Sequence, residues 1–206
     1  MKLYHHPLST FSRRVRMQLL EKGVTIDEVS VDMAKREHKA ETYRGLNPYQ
    51  RVPALVDGDF VLFESSAIME YLETVFPTPP LMPSTAKGRA LVAMHVKLCD
   101  LELSSHTRAL FFPRRFAPRE RWDLRAQTAA IDAIARHLGV LDKQLDGREY
   151  LVGGAYSLAE VAYTPFVEML PLIELTPQGN VQGWIERLAQ RPSAIATRPP
   201  DLQSAR

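Results

Sequence analysis

Cysteine is almost missing from this chain: Cys99 is the single one in 206 residues. One thiol excludes an intramolecular disulfide, a Cys-x-x-Cys redox centre and any zinc site built on several cysteines. Cys99 lies in the apolar-rich run Leu91–Leu103, where a small buried core residue is expected. No apolar stretch approaches the roughly 20 residues that a membrane helix needs. Met1-Lys2-Leu3-Tyr4-His5-His6-Pro7 leads into no long apolar segment of the secretory kind. A soluble, cytoplasmic protein without a membrane partner is therefore expected. Charge of one sign is lacking too, with 26 Lys+Arg against 24 Asp+Glu and a net charge of +2. No basic block is interleaved with aromatics, so nucleic acid is not an expected partner. The densest basic stretch, Arg114-Arg115 to Arg119 with Arg121 and Arg125, reads as a solvated loop and helix face. His5 and His6 would point to opposite faces of a strand. His95, His106 and His137 show no metalloprotease-like spacing, so no metal is expected.

What is present falls into two compositional parts. Lys2–His6 is a short strand candidate, stopped by Pro7. Thr10–Lys22 has Phe11, Val15, Leu19 and Leu20 near helical spacing, and Gly23 suits the position just past a helix end. Thr25–Val31 can form a second strand. Val52–Val56 and Asp59–Phe63 flank Asp57-Gly58, which predicts a hairpin with a type I′ turn. Ser65 is expected to cap a helix over about Ser66–Val75. The order is β-α-β, a long connection, then β-β-α. Phe76–Pro83 carries four prolines and reads as an extended linker. Beyond it Ala86–Leu110, Arg121–Leu145, Leu158–Leu172 and Val181–Arg191 are all helical in period. Residues 1–77, 78–84 and 85–206 are thus the expected first domain, linker and helical domain.

Three segments carry chemistry. His6-Pro7-Leu8-Ser9-Thr10-Phe11-Ser12-Arg13-Arg14-Val15 spans the junction from strand to helix. A helix N-terminus offers unpaired N–H groups and partial positive charge, which favour an anion. A hydroxyl there can hold a thiolate and lower its pKa from about 8.5. Simple capping by Ser9, Thr10 or Ser12 explains the same residues. In Asn47-Pro48-Tyr49-Gln50-Arg51-Val52-Pro53-Ala54-Leu55, a cis Val52–Pro53 bond would turn the Val52 N–H and C=O outward for antiparallel pairing with a peptide. An ordinary trans proline opening an edge strand fits as well. In Phe63-Glu64-Ser65-Ser66-Ala67-Ile68, the Ser65 N–H and hydroxyl can bind a carboxylate and Glu64 an ammonium group, or the pair simply starts a helix.

Taken in this order and spacing, the three segments resemble the glutathione transferases that use a serine. The His-Pro-x-Ser-x-x-x-Arg-Arg-Val form and Glu37-His38-Lys39 look most like the phi class, and Ser-x-x-Ser-x-Arg-Val-Arg is similar to the zeta class. The resemblance continues in Tyr150-Leu151-Val152-Gly153-Gly154, in Tyr156-Ser157-Leu158-Ala159-Glu160 and in Trp184-Ile185-Glu186-Arg187-Leu188. Ser157-x-x-Glu160 itself reads as a structural capping box.

The resemblance implies a thioredoxin-like glutathione-binding domain followed by an all-α domain, a homodimer, and glutathione as co-substrate. It implies that Ser9 holds and activates the thiolate, with Ser12 as the alternative one turn on. Val52, before a cis Pro53, would pair with the cysteinyl backbone. Glu64 and Ser65 would bind the γ-glutamyl end, and His38 and Arg51 would lie near the glycyl end. Leu8, Phe11, His106 and Phe112 would frame a small hydrophobic electrophile. The implied reaction is attack of the thiolate on an electrophilic carbon. A zeta-type isomerase of maleylacetoacetate-like acids is the enzymatic alternative, although Phe11 stands where that class generally has cysteine. A non-catalytic ligand-binding protein on the same scaffold is the alternative from another class. A disulfide reductase is disfavoured because Ser9, not cysteine, opens the first helix.

Overall fold

The structure, a computed structural model, describes residues 1–203. Its contacts divide into two units, Met1–Leu81 with Pro192–Pro199, and Met82–Arg191 with the segment from Pro200. The sequence placed all of 85–206 in the helical part, whereas Pro192–Pro199 packs with the first unit. The reason is electrostatic. The buried Arg13 guanidinium donates from Nε to Thr197 Oγ1 at 3.2 Å and from Nη2 to the Ala194 carbonyl at 2.9 Å. A cation removed from water needs such acceptors.

The first unit runs β1 (Lys2–His5), α1 (Thr10–Glu21), β2 (Asp27–Ser30), α2 (Glu41–Arg44), β3 (Ala54–Asp57), β4 (Phe60–Phe63) and α3 (Ser65–Val75). Sheet order is β2-β1-β3-β4, with β1 parallel to β2 and the other pairs antiparallel. Leu3, Ala54 and Leu55 of the sheet are buried, as are Val15, Met17 and Leu19 of α1 and Ile68, Met69 and Leu72 of α3. Burying each of the larger side chains is worth about 1.5–3 kcal/mol. The hairpin differs in turn type from the sequence expectation. Asp57 pairs with Phe60, so Gly58 and Asp59 are the central residues, and of these only Gly58 has positive φ. That is the II′ pattern, with glycine first.

Helix α1 ends as expected. Gly23 adopts φ +63°, its N–H reaches the Leu20 carbonyl at 3.0 Å, and the Val24 N–H reaches that of Leu19 at 2.9 Å. Just before it, the buried Lys22 ammonium meets Glu73 Oε2 of α3 at 2.7 Å and donates to the Pro79 carbonyl at 2.9 Å. Glu73 Oε1 accepts the Leu81 N–H at 3.0 Å, so one ion pair fixes both helices and the proline-rich segment that leaves them.

The second unit is helical: α4 (Ala86–Leu98), a π-helical turn (Cys99–Ser104), α5 (Ser105–Phe116), α6 (Leu124–Gln144), α7 (Leu158–Val167) and α8 (Gly179–Ala189). Thr85 caps α4 and Asp123 caps α6, each side chain accepting a backbone N–H. Every residue of α7 is buried, which makes it the centre of the unit. Its start is the expected capping box. Glu160 Oε2 accepts the Ser157 N–H at 2.9 Å, and Oε1 accepts the Leu151 N–H at 2.8 Å. Burial pushes the Glu160 pKa up, opposed by these hydrogen bonds. Cys99 is buried and donates to the Ala162 carbonyl at 3.4 Å, as a core thiol does.

Around α7, the Tyr163 ring stacks on His137 at 5.7 Å and meets Trp184 edge-on at 5.6 Å, and its hydroxyl lies 2.9 Å from His137 Nε2. Burial, outweighing the attraction of Glu102, lowers the His137 pKa to about 4. Well above pH 6.5 the imidazole is neutral whether the chain is folded or not. Below that, the unfolded chain takes up a proton that the folded chain excludes. This group's contribution to stability is therefore expected to fall by on the order of 1 kcal/mol per pH unit between pH 6.5 and 4. Urea midpoints recorded over that interval will fall with pH, and His137→Gln will make the fall shallower, the part that remains coming from His5, His38 and His95, whose pKa values are also lowered.

Candidate functional site

The sheet register brings the three chemistry-bearing segments to one place. Tyr4, near the end of β1, pairs with Ala54, the first residue of β3, and Ala54 pairs with Phe63, the last of β4. The segment after β1, the segment before β3 and the segment after β4 thus all leave the sheet at the same end. β2 runs parallel to β1, so the connection that carries His38 starts from that end as well.

Ser9 is the N-cap of α1. Its Oγ accepts the Ser12 N–H at 3.2 Å and its own N–H donates to the His6 carbonyl at 3.0 Å. Capping consumes a lone pair and leaves the hydroxyl proton, so the cap and donor roles are compatible at Ser9. No carboxylate in the first turn offsets the positive end of α1. Ser12 is different: it is 0% exposed, and its Oγ faces the His6 N–H at 3.4 Å. Leu8 is 55% exposed in the preceding loop, and Phe11 is half-buried with the Arg14 guanidinium 5.0 Å from its ring centre.

Before β3, the Arg51 carbonyl accepts from the Tyr43 hydroxyl at 2.8 Å and from Asn47 Nδ2 at 2.7 Å, while Asn47 Oδ1 accepts the Tyr49 N–H at 2.9 Å. This brace fixes the backbone leading into Val52. The Val52–Pro53 peptide bond is cis. The Val52 side chain is buried with Val31, Tyr43 and Ala54, while its N–H and C=O have no backbone partner among the described residues. The exposed Arg51 side chain lies over the Tyr49 ring at 5.3 Å and 3.5 Å from Glu64 Oε1. His38 sits in a single 3-10 turn, Glu37–Lys39. Partial burial, then Lys39 and Arg36, lower its pKa, so it is a neutral hydrogen-bonding group at neutral pH.

After β4, α3 begins at Ser65 itself, not at Ser66, and Glu64 occupies the N-cap. Ser65 therefore caps nothing. Its Oγ, 2% exposed as a residue, instead accepts Arg14 Nε at 2.8 Å. Glu64 holds φ 70° and ψ 111° and offers no side-chain cap, so the first N–H groups of α3 have no local acceptor from it. A non-glycine residue at such angles stores on the order of 1–3 kcal/mol.

In the second unit His106 is half-buried on α5, and the Phe112 ring stands exposed between Phe111 and Phe116, each 5.8 Å away. Arg14 and Tyr43 were not singled out by sequence. Arg14 stood inside the first quoted motif, and Tyr43 carries no local signal, because its role depends on the fold that brings Arg51 to it.

Comparison with known proteins identifies the family. Residues 1–74 match the glutathione S-transferase N-terminal domain and residues 111–192 the C-terminal domain. Glutathione S-transferase F10 of Arabidopsis thaliana is 32% identical over 197 residues, covering 90% of both chains. Maleylpyruvate isomerase of a Ralstonia species is 36% identical over 186 residues, 86% of each. Among solved structures, a glutathione transferase of Burkholderia graminis, with two glutathione molecules bound per subunit, superposes with a TM-score of 0.86 at 28% identity. That match covers 98% of this chain and 87% of the other. The chain belongs to the glutathione S-transferase family.

The strain at Glu64 has a measurable signature. Glu64→Gly relieves the positive φ that Glu64→Ala retains, so the glycine variant is expected to be more stable than the alanine variant by about 1 kcal/mol in urea denaturation. Both lose the Arg51 contact, which cancels in the comparison.

Proposed function

We propose that this chain is a serine-type glutathione transferase in which the Ser9 hydroxyl holds the glutathione thiolate. The observation that carries this reading is the convergence of Ser9, Val52 and Glu64-Ser65 at one end of the sheet, each with an unspent polar group. Ser9 keeps a proton to donate beside the positive end of α1. Val52 presents unpaired backbone to an extended cysteinyl residue. Ser65 and the uncapped start of α3 suit the γ-glutamyl carboxylate, and the exposed Glu64 suits its ammonium group. Arg51 and neutral His38 are assigned to the glycyl end, and Leu8 and Phe11, on the same loop and helix as Ser9, to the electrophile.

In the reaction, the stabilised thiolate attacks an electrophilic carbon, a sulfur–carbon bond forms, and the leaving group departs with its electron pair. Ser9 acts by hydrogen bonding and forms no covalent intermediate. Binding holds the second substrate beside the thiolate and so removes most of the entropic barrier to encounter.

A second reading is favoured by the 36% identity to maleylpyruvate isomerase. On that reading the same thiolate adds to a conjugated carbon–carbon double bond. Rotation about the resulting single bond and expulsion of the thiolate then return the isomer. Trial turnover of a maleyl-type cis-dicarboxylate, set against conjugation of an aromatic halide, separates the two.

The protein is further proposed to be cytoplasmic and homodimeric. Leu91, Met94 and Leu101 are exposed along α4 and the π turn, an apolar surface that a second copy would cover. Sedimentation at micromolar concentration will show the dimer, and a monomer throughout would refute it.

The decisive measurement is the ultraviolet absorbance of the bound glutathione thiolate against pH. Wild type is expected to ionise bound glutathione at least one pH unit below the free thiol's value of about 8.5. Ser9→Ala will lose that depression, and Ser12→Ala will keep most of it. A Ser9→Ala profile like wild type would remove Ser9 from the mechanism.

A further inference from the structure

Arg14 is 1% exposed, yet it carries a guanidinium on the first helix. Its Nε donates to Ser65 Oγ at 2.8 Å. Guanidinium nitrogens only donate, so at this contact the serine oxygen is an acceptor. One lone pair of Ser65 is thereby consumed and its own proton is directed away from Arg14. Ser65 is also the first residue of α3, where the backbone N–H is not satisfied within the helix. The Ser65 side chain and backbone are left with two donors and a cation behind them.

We propose that Arg14 is a positioning residue that turns the Ser65 hydroxyl proton towards the α-carboxylate of the γ-glutamyl group and polarises it. This rests on the glutathione reading above and goes beyond it by assigning a role to a buried residue that touches no substrate. The cation behind the hydroxyl polarises its O–H and strengthens the bond to an anionic oxygen. Arg14 lies five residues after Ser9 on the same helix, so it also ties the start of α3 to α1. With the Lys22–Glu73 ion pair and the Gln18 side chain donating to the Met69 carbonyl at 2.8 Å, this contact fixes the spacing between the thiolate donor and the carboxylate donor. Lysine cannot replace it, because a flexible ammonium lacks the planar geometry that delivers a single N–H to Ser65.

The test uses glutathione and 4-aminobutyryl-cysteinyl-glycine, which lacks only that carboxylate, titrated calorimetrically against wild type, Arg14→Lys, Ser65→Ala and the double variant. Wild type is expected to prefer glutathione by about 10- to 100-fold. Arg14→Lys and Ser65→Ala will each bring the preference to within about threefold, and the double variant will be no worse than either single, since the two residues act as one unit. Binding of the analogue will scarcely change. Arg14→Gln reads the same quantity should Arg14→Lys fail to fold. An Arg14 variant with native Tm that keeps the full preference, or one that loses both peptides equally, overturns the proposal. Wild type binding neither peptide would instead overturn the glutathione reading itself, a separate outcome.

Discussion

A strand that ends leaves backbone groups unpaired, and a helix that begins leaves up to four N–H groups without intrahelical acceptors. The first unit gathers such groups at a single end of its sheet. Helix α1 starts there after β1, helix α3 starts there after β4, and the chain re-enters there through Val52-Pro53 to begin β3. At most positions a fold satisfies these groups with its own side chains. Here the N-cap of α3 is occupied by a strained Glu64 that caps nothing, and Val52 has no backbone partner among the described residues. This unspent hydrogen-bonding capacity is what the proposed glutathione site draws on.

Holding that surface open requires rigidity behind it, which buried polar contacts supply. Arg14 grips Ser65, and Tyr43 and Asn47 together grip the Arg51 carbonyl. Arg13 ties down the segment around Ala194 and Thr197, and Lys22 with Glu73 secures the exit from α3. A buried ion pair such as Lys22–Glu73 is a weak contributor to net stability, because desolvation offsets most of its attraction. The value of these contacts lies in geometry: a buried donor tolerates few arrangements other than the one that satisfies it. The second unit follows a plainer logic. A fully buried α7 begins at a side-chain cap and is surrounded by the ring cluster of His137, Tyr163 and Trp184. The histidines there are held neutral by burial.

The relatives show two chemistries on one framework, transferase and isomerase. The two readings proposed for this chain begin from the same thiolate, so a site that ionises a thiol would serve either. The difference lies in what the second substrate offers the sulfur: a carbon with a leaving group, or a double bond that can be re-formed after rotation.

By itself the sequence determined the order β-α-β-β-β-α, the hairpin, the glycine end of α1, the helical remainder and the capping box at Ser157, because each is encoded within a few neighbouring residues. It also placed Ser9 and Ser12 at the helix start, with the family resemblance putting Ser9 first and Ser12 as the alternative. The tertiary structure supplies a physical difference between them, burying Ser12 behind the His6 backbone and leaving Ser9 half-exposed with its hydroxyl proton. It likewise decided that Ser65 receives a hydrogen bond from Arg14 in place of capping, and that Pro192–Pro199 joins the first unit. Those outcomes depend on partners 51 and more than 180 residues apart in the chain. No local pattern records such partners, since what selects them is the need of a buried cation for an acceptor.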